Sequence, residues 1–490
     1  MATKILHVRL PCKKIYPAGT VYLADFIHKN LPLVEQKILD LAILNKKDRK
    51  KALEKTIEDI KPDIVAFSWR DIQIFSPDQR DPSLETVFKF YYSGVFDKIS
   101  ASFKGLKLIL FYKSLITENL SYINWVVKNF DRQVVIGGPA FSVFPNYIIN
   151  KVGEGAIGII GEGEETLLKI AKNQDFSNER VVYKKQNKII WGKKERYLNL
   201  SASKAISFDY ISEIFPEFKQ YLNDYVGIQT KRGCPQECIF CLYNYIEGKD
   251  IRYRKPAEIA KEIQILRENF GVKKIWLTDS QFIPSKSSVD VCEETLDEIL
   301  KTKAEIEWTS YVRIENITKS LAEKMIKSGI KQFELSITSG SQEIINKLKL
   351  GFNLNDIFSA CEKIKNSGFE SQNIILNYSL NSPGESKATL KQSIETFKKI
   401  SKIFGKNVYP FIFFLAIQPH TELEKYTIET GYLPPNYNML SINPFSVKKL
   451  IYNPPPLDRL MAESCLNAWE NCEKNEEFGE YVINYISKKI

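Results

Sequence analysis

Three cysteines fall within one short stretch, Cys234-Pro-Gln-Glu-Cys238-Ile-Phe-Cys241, a CxxxCxxC spacing preceded by Thr230-Lys-Arg-Gly233. Three thiolates from one loop can hold three irons of a four-iron, four-sulfur cluster and leave the fourth iron open to a substrate or cofactor. An open iron is what cluster chemistry, as distinct from plain electron transfer, requires. A structural zinc site would instead ask for four Cys or His ligands in paired spacings. The only histidines, His7, His28 and His420, are remote from the loop in sequence, and no second CxxC pair occurs.

Such a loop must be carried by a folded protein of ordinary composition. The chain has 490 residues, 44% apolar and 26% charged, which excludes a disordered, collagen-like or small disulfide-stapled chain and predicts several domains. Sixty-nine Lys and Arg against 59 Asp and Glu give a net charge of +10, compatible with a weak general attraction to anionic partners. There is no dense basic run of the kind that binds nucleic acid, and the aromatic residues fall mostly in core-type runs. The Arg49-Lys50-Lys51 cluster reads as a solvated helix face. No apolar run reaches the ~20 residues needed to cross a bilayer. The N-terminus reads as a strand rather than an export signal, and the other five cysteines are scattered, so a cytoplasmic, reducing location is expected.

The elements around the loop follow from the hydrophobic pattern. From the start to about residue 175, apolar runs at 5–9, 63–68, 107–111, 133–137 and 157–160 read as strands, with helical patterns at 21–28, 51–60 and 118–128. Continuous apolar strands separated by helices predict an α/β fold, a doubly wound Rossmann-like domain over 1–175. Residues 176–222 form a connector with a small hairpin at 181–183 and 188–191. A second alternation over 223–421 has strands at 226–230, 274–278, 305–313, 332–338, 374–380 and 408–417, which predicts a partial (β/α)6 barrel. In its first helix Pro256 suits the opening turn and Gly271 the stop. A C-terminal extension, 422–490, is too short for an ordinary domain and is expected to cap the barrel mouth. The cysteines lie in the loop after the first barrel strand, at the carboxyl end where βα arrays place their chemistry.

Further residues carry weaker signals. Gly137 and Gly138 end a buried strand, which lets backbone approach a large ligand, although a strand-ending turn explains them equally well. Gly161-Glu162-Gly163-Glu164 is either part of such a site or a tight turn opening an acidic helix.

Taken together these motifs closely resemble the radical S-adenosylmethionine (SAM) superfamily, whose signature is CxxxCxxC with an aromatic residue, here Phe240, before the last Cys. The segments Gly227-Ile-Gln-Thr-Lys-Arg-Gly-Cys234, Ile251-Arg-Tyr-Arg-Lys-Pro256 with Glu258 and Glu262, Trp276-Leu-Thr-Asp279-Ser-Gln-Phe282 and Ser339-Gly340-Ser341 resemble the branch with an N-terminal cobalamin-binding-type domain. So do Gly137-Gly138-Pro139 and the 161–166 turn; the likeness covers roughly 1–425. It implies that Cys234, Cys238 and Cys241 hold a 4Fe-4S cluster as catalytic metal ligands, whose open iron binds SAM. It further implies that Thr278 and Asp279 contact the SAM amino end, and that Arg313 and Glu334 or Ser336 contact its carboxylate and ribose. Asp279 could instead cap a turn, and Arg313 could pair with Glu315. Gly137, Gly138, Gly161 and Glu162 would belong to the cobalamin site.

The chain departs from the family at several points. Asn381 replaces the first Gly of a Gly-x-Pro-Gly-Glu turn, here 381–385, and His420 replaces Gly in a Pro-Gly-Thr turn. His420 would handle substrate protons at the mouth or lie in solvent. The DxHxxG motif that supplies an axial His to cobalt is absent, since Ile5 precedes His7 by two residues and Phe26 precedes His28. The resemblance implies reductive cleavage of SAM, attack on an unactivated carbon and cobalamin-dependent methyl transfer. Radical cyclisation, oxidation or rearrangement stays open, as does a non-catalytic iron–sulfur or corrinoid sensor. A methylthio-transfer enzyme for transfer RNA would need a second N-terminal Cys triad, where Cys12 stands alone. Expected partners are a reducing donor such as flavodoxin or ferredoxin and a small substrate. The generic aromatic residues Tyr426, Tyr432, Tyr437 and Phe445 hint that this substrate is flat or apolar.

Overall fold

The computed structural model describes residues 3–72, 78–193, 197–369, 374–405, 408–441 and 447–490; Phe445 lies outside them. The first sheet has seven strands: β1 (Lys4–Arg9), β2 (Glu35–Asp40), β3 (Ile64–Ser68), β4 (Gln133–Gly137), β5 (Ala156–Ile159), β6 (Val181–Lys185) and β7 (Lys188–Trp191). They lie in the order β2-β1-β3-β4-β5-β6-β7. The first five are parallel, and the expected hairpin, β6–β7, adds antiparallel to β5. In this order the chain runs outward from β1 to β2 and then returns to β3 on the other side of β1. A crevice therefore opens at the carboxyl ends of β1 and β3, the topological switch point where such sheets bind ligands.

Both faces of the sheet are buried. One cluster including Leu6, Val8, Val65 and Ile136 continues into the second domain, and a smaller one including Ile5, Ala66, Val135 and Ile157 fills the opposite face. The apolar pattern does not announce β2, because its sequence, EQKILD, buries only Ile38 and Asp40, as an edge strand can. Helices α1 (Ala18–Asn30) and α2 (Lys46–Ile60) follow β1 and β2.

The 107–111 run is not a strand. It lies inside a 35-residue helix, α4 (Val95–Asn129), which forms a helical pair with α3 (Pro82–Tyr92). A run of consecutive apolar residues satisfies either reading. Two facts decide for helix here: β3 pairs directly with β4, leaving no strand position between them, and Ile116, Asn119, Tyr122, Ile123 and Val126 bury one helical face.

The second domain begins with β8 (Val226–Ile228), followed by the short antiparallel pair β9 (Lys231–Arg232) and β10 (Arg252–Tyr253). Then come β11 (Lys274–Leu277), β12 (Glu307–Thr309), β13 (Tyr311–Val312), β14 (Phe333–Thr338), β15 (Ile374–Leu380) and β16 (Val408–Phe414). Two parallel sheets, β12-β11-β8 and β13-β14-β15-β16, meet where the third barrel strand is interrupted at Ser310, whose hydroxyl donates to the Leu277 carbonyl at 3.0 Å. Counting β12 and β13 as one strand, the array is the expected partial six-stranded barrel. Along β14, β15 and β16 fully buried residues alternate with half-buried ones, the latter including Glu334, Ser336, Asn377, Phe411 and Phe413. The helix Pro256–Phe270 starts at Pro256 and stops at Gly271 (φ +69°), as the sequence predicts.

The tail does not simply cap the mouth. Its helix Asn475–Ser487 packs on β16 so closely that a Cβ on Gly479 would overlap the Pro410 carbonyl, the helix Asp458–Asn471 packs between it and α3, and Gln79 bonds the outer edge of β16 at Ile412. Pro410 is tolerated because β16 is the last strand. The tail also reaches the carboxyl end of the barrel, where the Asn381 amide donates to Asn453 Oδ1 at 2.6 Å and to the Pro454 carbonyl at 2.8 Å. Asn381 has φ +54°, a left-handed conformation that Asn adopts readily, so the exchange for Gly keeps the turn and adds a tie to the tail.

Candidate active site at the cysteine loop and interdomain crevice

The cysteine loop is pinned at both ends. Gly233 (φ +89°) and Gly248 (φ +83°) bracket it, and a Cβ on Gly233 would strike the Asp250 carbonyl. The Cys234 amide donates to the Gly248 carbonyl at 3.1 Å, and the Gly233 amide donates to Glu247 Oε2 at 3.0 Å. Ile239 is bonded to Leu348 and Leu423, which fixes the loop tip against the barrel. Burial raises all three thiol pKa values, that of Cys241 to about 12; neighbouring thiols add to the rise at Cys238 and Cys241, while Arg313 works against it at Cys234 and Cys238. Metal ligation must therefore displace a proton from each. Among the described residues no three His, Cys, Asp or Glu side chains converge as a single ion would require. Thiolates that each take a different iron of a cluster have no such requirement. Phe240 is half-buried and packs on the core.

Asp279, 2% exposed, is saturated from within the protein. Its Oδ1 accepts from the Thr230 and Lys231 amides at 2.8 and 3.1 Å, and its Oδ2 accepts from the Thr230 hydroxyl and from Lys231 Nζ at 2.7 Å. Four donors fill a carboxylate's capacity, so this residue anchors the strand that enters the cysteine loop. Burial works against the Lys231 ammonium, but Asp279 holds its pKa above the ordinary lysine value. Arg313 is buried, bonded to Glu315 and the Leu350 carbonyl, and reaches Cys238 as well. Its pairing with Glu315 is thus real but internal.

Farther along the barrel wall, Ser336 accepts from Gln281 Nε2 at 3.2 Å, and Glu334 accepts from Asn377 Nδ2 at 3.4 Å. Gln281 Oε1 and Asn377 Oδ1 are buried without a partner among the described residues. Buried acceptors are normally satisfied, so these two fit a ligand that brings donors. Burial raises the Glu334 pKa.

Between the domains, at the switch point, lies a cavity of about 450 Å³. Its walls include His7 and Ser68 from the first sheet, Gly137, Gly138, Gly161 and Glu162 from the turns beyond it, and Gln229, Arg232 and Thr278 from the barrel. Beta carbons on Gly19 and Gly137 would meet nothing within 4 Å, so these glycines leave open room. Gly138 (φ +95°) is needed for another reason: a Cβ there would come within 2.6 Å of the Trp69 carbonyl. His7 is committed elsewhere, with Nε2 bonded to Gln36 Oε1 at 2.8 Å, and burial lowers its pKa to about 4. Thr278 is tied to the Ile228 carbonyl through its amide at 2.8 Å.

Two arginines bind the crevice to the loop. Arg232 reaches Glu164 at 2.6 Å and Glu162 at 3.4 Å, and Arg252 reaches Glu162 at 2.7 Å. The Gly161–Glu164 turn of the first domain is therefore clamped to the residue two before Cys234.

Residues 228–397, which contain the cysteine loop and most of the barrel, match the radical SAM superfamily. The barrel is a radical SAM domain. An uncharacterized methyltransferase of Pyrococcus horikoshii is 23% identical over 318 residues, covering 63% of this chain and 66% of its own. The ribosomal protein uS12 methylthiotransferase RimO of Thermosipho melanesiensis is 26% identical over 197 residues, covering 39% of this chain and 44% of its own. The chain thus spans from under half to just under two thirds of the length of these curated relatives. Across both domains the fold is that of the radical SAM methyltransferase TsrM from Kitasatospora setae, solved with cobalamin and a [4Fe-4S] cluster bound (TM-score 0.66, 16% identity, 88% of this chain and 75% of that one). It is equally that of the cobalamin-dependent radical enzyme OxsB, solved with aqua-cobalamin and SAM bound (TM-score 0.66, 14% identity, 96% and 66%).

Several residues of the radical SAM domain and its clamp were not singled out from the sequence. Lys231 and Thr230 were read only as lead-in to the cysteines, and Arg232 and Arg252 only as parts of motifs. Gln281 falls inside a family-like segment without a role of its own, and Asn377 carries no signal, because a lone amide on a strand has no diagnostic spacing. His420, expected either at substrate or in solvent, has an exposed position but stacks on Tyr245 (4.1 Å between ring centres) and bonds the Val143 carbonyl of the first domain at 3.1 Å.

Proposed function

We propose that the protein is a radical SAM enzyme that functionalises an unactivated carbon by cobalamin-dependent methyl transfer. The observation that carries this reading is the clamp through Arg232, which joins the crevice at the first sheet's switch point to the cysteine loop of the barrel. A 4Fe-4S cluster held there would supply the electron for reductive cleavage of SAM, and a corrinoid would supply the methyl group.

The chain's own residues position these groups. Cys234, Cys238 and Cys241 would hold the cluster, three thiols on one loop with Arg313 against Cys238. The Thr230, Lys231 and Asp279 network fixes the loop's entry. Gln281 with Ser336, and Glu334 with Asn377, offer the barrel interior's polar contacts to SAM or substrate. The room beside Gly19 and Gly137, with Gly138, Gly161 and Glu162 in the same wall, suits a large planar ligand facing Thr278. His7, bonded to Gln36 and kept neutral by burial, serves the wall rather than a metal. The division into a first domain over 1–175, a connector, a barrel over 223–421 and a tail is part of the same reading. A reducing electron donor of the flavodoxin or ferredoxin class, a small substrate that is flat or apolar, and a cytoplasmic setting complete it. No helix among the described residues is long and apolar enough to cross a membrane.

The test is anaerobic purification from cells supplied with cobalamin, with iron and cobalt analysis and absorbance spectra, beside a variant with all three loop cysteines changed to Ala. Iron lost in the variant and cobalt kept in both supports the reading. Cobalt in neither protein removes methyl transfer, and iron in neither removes radical chemistry. Product mass then separates methylation, which adds one CH₂, from cyclisation, which adds none.

A further inference from the structure

The first half of α4 presents an apolar face to solvent. Phe96 is 90% exposed and Phe103 68%, and Ile99, Leu106 and Leu110 are each more than half exposed. Positions 96, 99, 103, 106 and 110 recur at intervals of three and four, which places them on one side of the helix. The other side is used: Ala101 is buried, and Gly105 brings the backbone close to Thr86 of α3. The exposed stripe therefore points away from the protein. Contiguous apolar patches of this kind mark interaction surfaces.

Two observations indicate what covers it. Lys98, Lys104, Lys107 and Lys113 are exposed along the same stretch, where Asp97 is the only acidic residue. Beside it on α2, Lys46 bonds Ser114 of α4 at 2.6 Å and faces Glu118 at 3.9 Å, and Lys50 lies over the Trp125 ring. A second copy of the chain seated on the apolar stripe would set the four α4 lysines against their like, with Asp97 as the one acid of that stretch to offset them. The second observation is an apolar cavity of about 250 Å³ directly behind the stripe, between α3 and α4, lined by residues including Val87, Phe90, Ala101 and Ile109. Leu106 belongs to both the stripe and the cavity wall.

We propose that this half of α4 docks the protein on an anionic lipid surface, with the aromatic and aliphatic stripe entering the headgroup boundary and the lysines meeting lipid phosphates. An amphipathic helix with lysines flanking an apolar face binds in the interface plane in this manner, its lysine stems covering apolar surface and its ammonium groups reaching the headgroups. The proposal is independent of the catalytic reading, because its readout is partition onto vesicles.

The test uses the reconstituted full-length protein and vesicles of phosphatidylcholine alone or mixed with phosphatidylglycerol. The expected result is sedimentation with the anionic vesicles at least about tenfold stronger than with the neutral ones, weakened by salt. A Phe96→Glu/Phe103→Glu variant should lose binding by about tenfold or more with an unchanged melting temperature, since both side chains face solvent and neither lines the cavity. A Lys104→Glu/Lys107→Glu variant should lose only the anionic preference. Equal binding by wild type and the Phe96→Glu/Phe103→Glu variant, or no binding to either vesicle, overturns the proposal. So does a dimer in light scattering that Phe96→Glu/Phe103→Glu dissolves, which would assign the face to a second copy.

Discussion

Glu164, in the turn that ends the first sheet's crevice, lies 2.6 Å from Arg232, two residues before the first cysteine of the loop. Both side chains are largely buried, at 8% and 11% exposure. Burial would raise the Glu164 pKa, yet Arg232 brings it below the ordinary glutamate value. The two domains are thus registered to each other by an ion pair at the place where their ligands would meet.

Removing one partner of such a pair leaves the other charge buried. Arg232→Met should destabilise the protein by about 3 kcal/mol in chemical denaturation, because Glu164 then lacks its counter-charge. Glu164→Gln should cost less, since Glu162 still faces Arg232 at 3.4 Å. The double variant should cost less than the sum of the two, and strict additivity would show that the pair is not coupled.

Asp279 should behave as a positioning residue for the loop. Asp279→Ala orphans the buried Lys231 ammonium and two backbone amides, and is expected to lower iron retained after anaerobic reconstitution by at least half, with a loss of stability of about 3–5 kcal/mol. Thr230→Val removes one hydroxyl donor and should be milder in both respects. Full iron loading in Asp279→Ala would show that the network is dispensable.

The cradle reading gives a separable outcome. Gly137→Leu places a side chain where a Cβ meets nothing within 4 Å. Its melting temperature and cluster spectrum should match wild type while cobalamin retention falls by about tenfold or more, as for a ligand excluded by shape. Unchanged cobalt content would locate the corrinoid elsewhere.

Burial raises the Glu385 pKa to about 7, with the Thr389 hydroxyl partly opposing it. The folded state therefore holds this proton more tightly than the unfolded chain. Stability from this group is full below the unfolded value near pH 4.5 and is lost as pH rises through about 7. Glu385→Gln should be about 2 kcal/mol more stable than wild type at pH 8 and no more stable at pH 4, measured by urea denaturation. An equal difference at both pH values would assign the effect to packing.

The sequence by itself determined the features that depend on local pattern. The CxxxCxxC loop, the alternation of apolar strands with capped helices, and the stop at Gly271 are all readable because a thiol spacing, a two- or 3.6-residue period and a left-handed glycine are properties of neighbouring residues. The tertiary structure decided what depends on partners far away in the chain. The 107–111 run became helix because β3 and β4 pair without it, and a local apolar run cannot report whether a strand position exists. Asp279 proved to be saturated by Thr230 and Lys231, 49 and 48 residues away, and Arg232 to be joined to Glu164, 68 residues away. Charges and amides carry no periodic signature, so only the closing of the chain chose their partners. The same holds for α4, whose stripe reads as core-like in sequence and is left facing solvent once α3 has taken the opposite side.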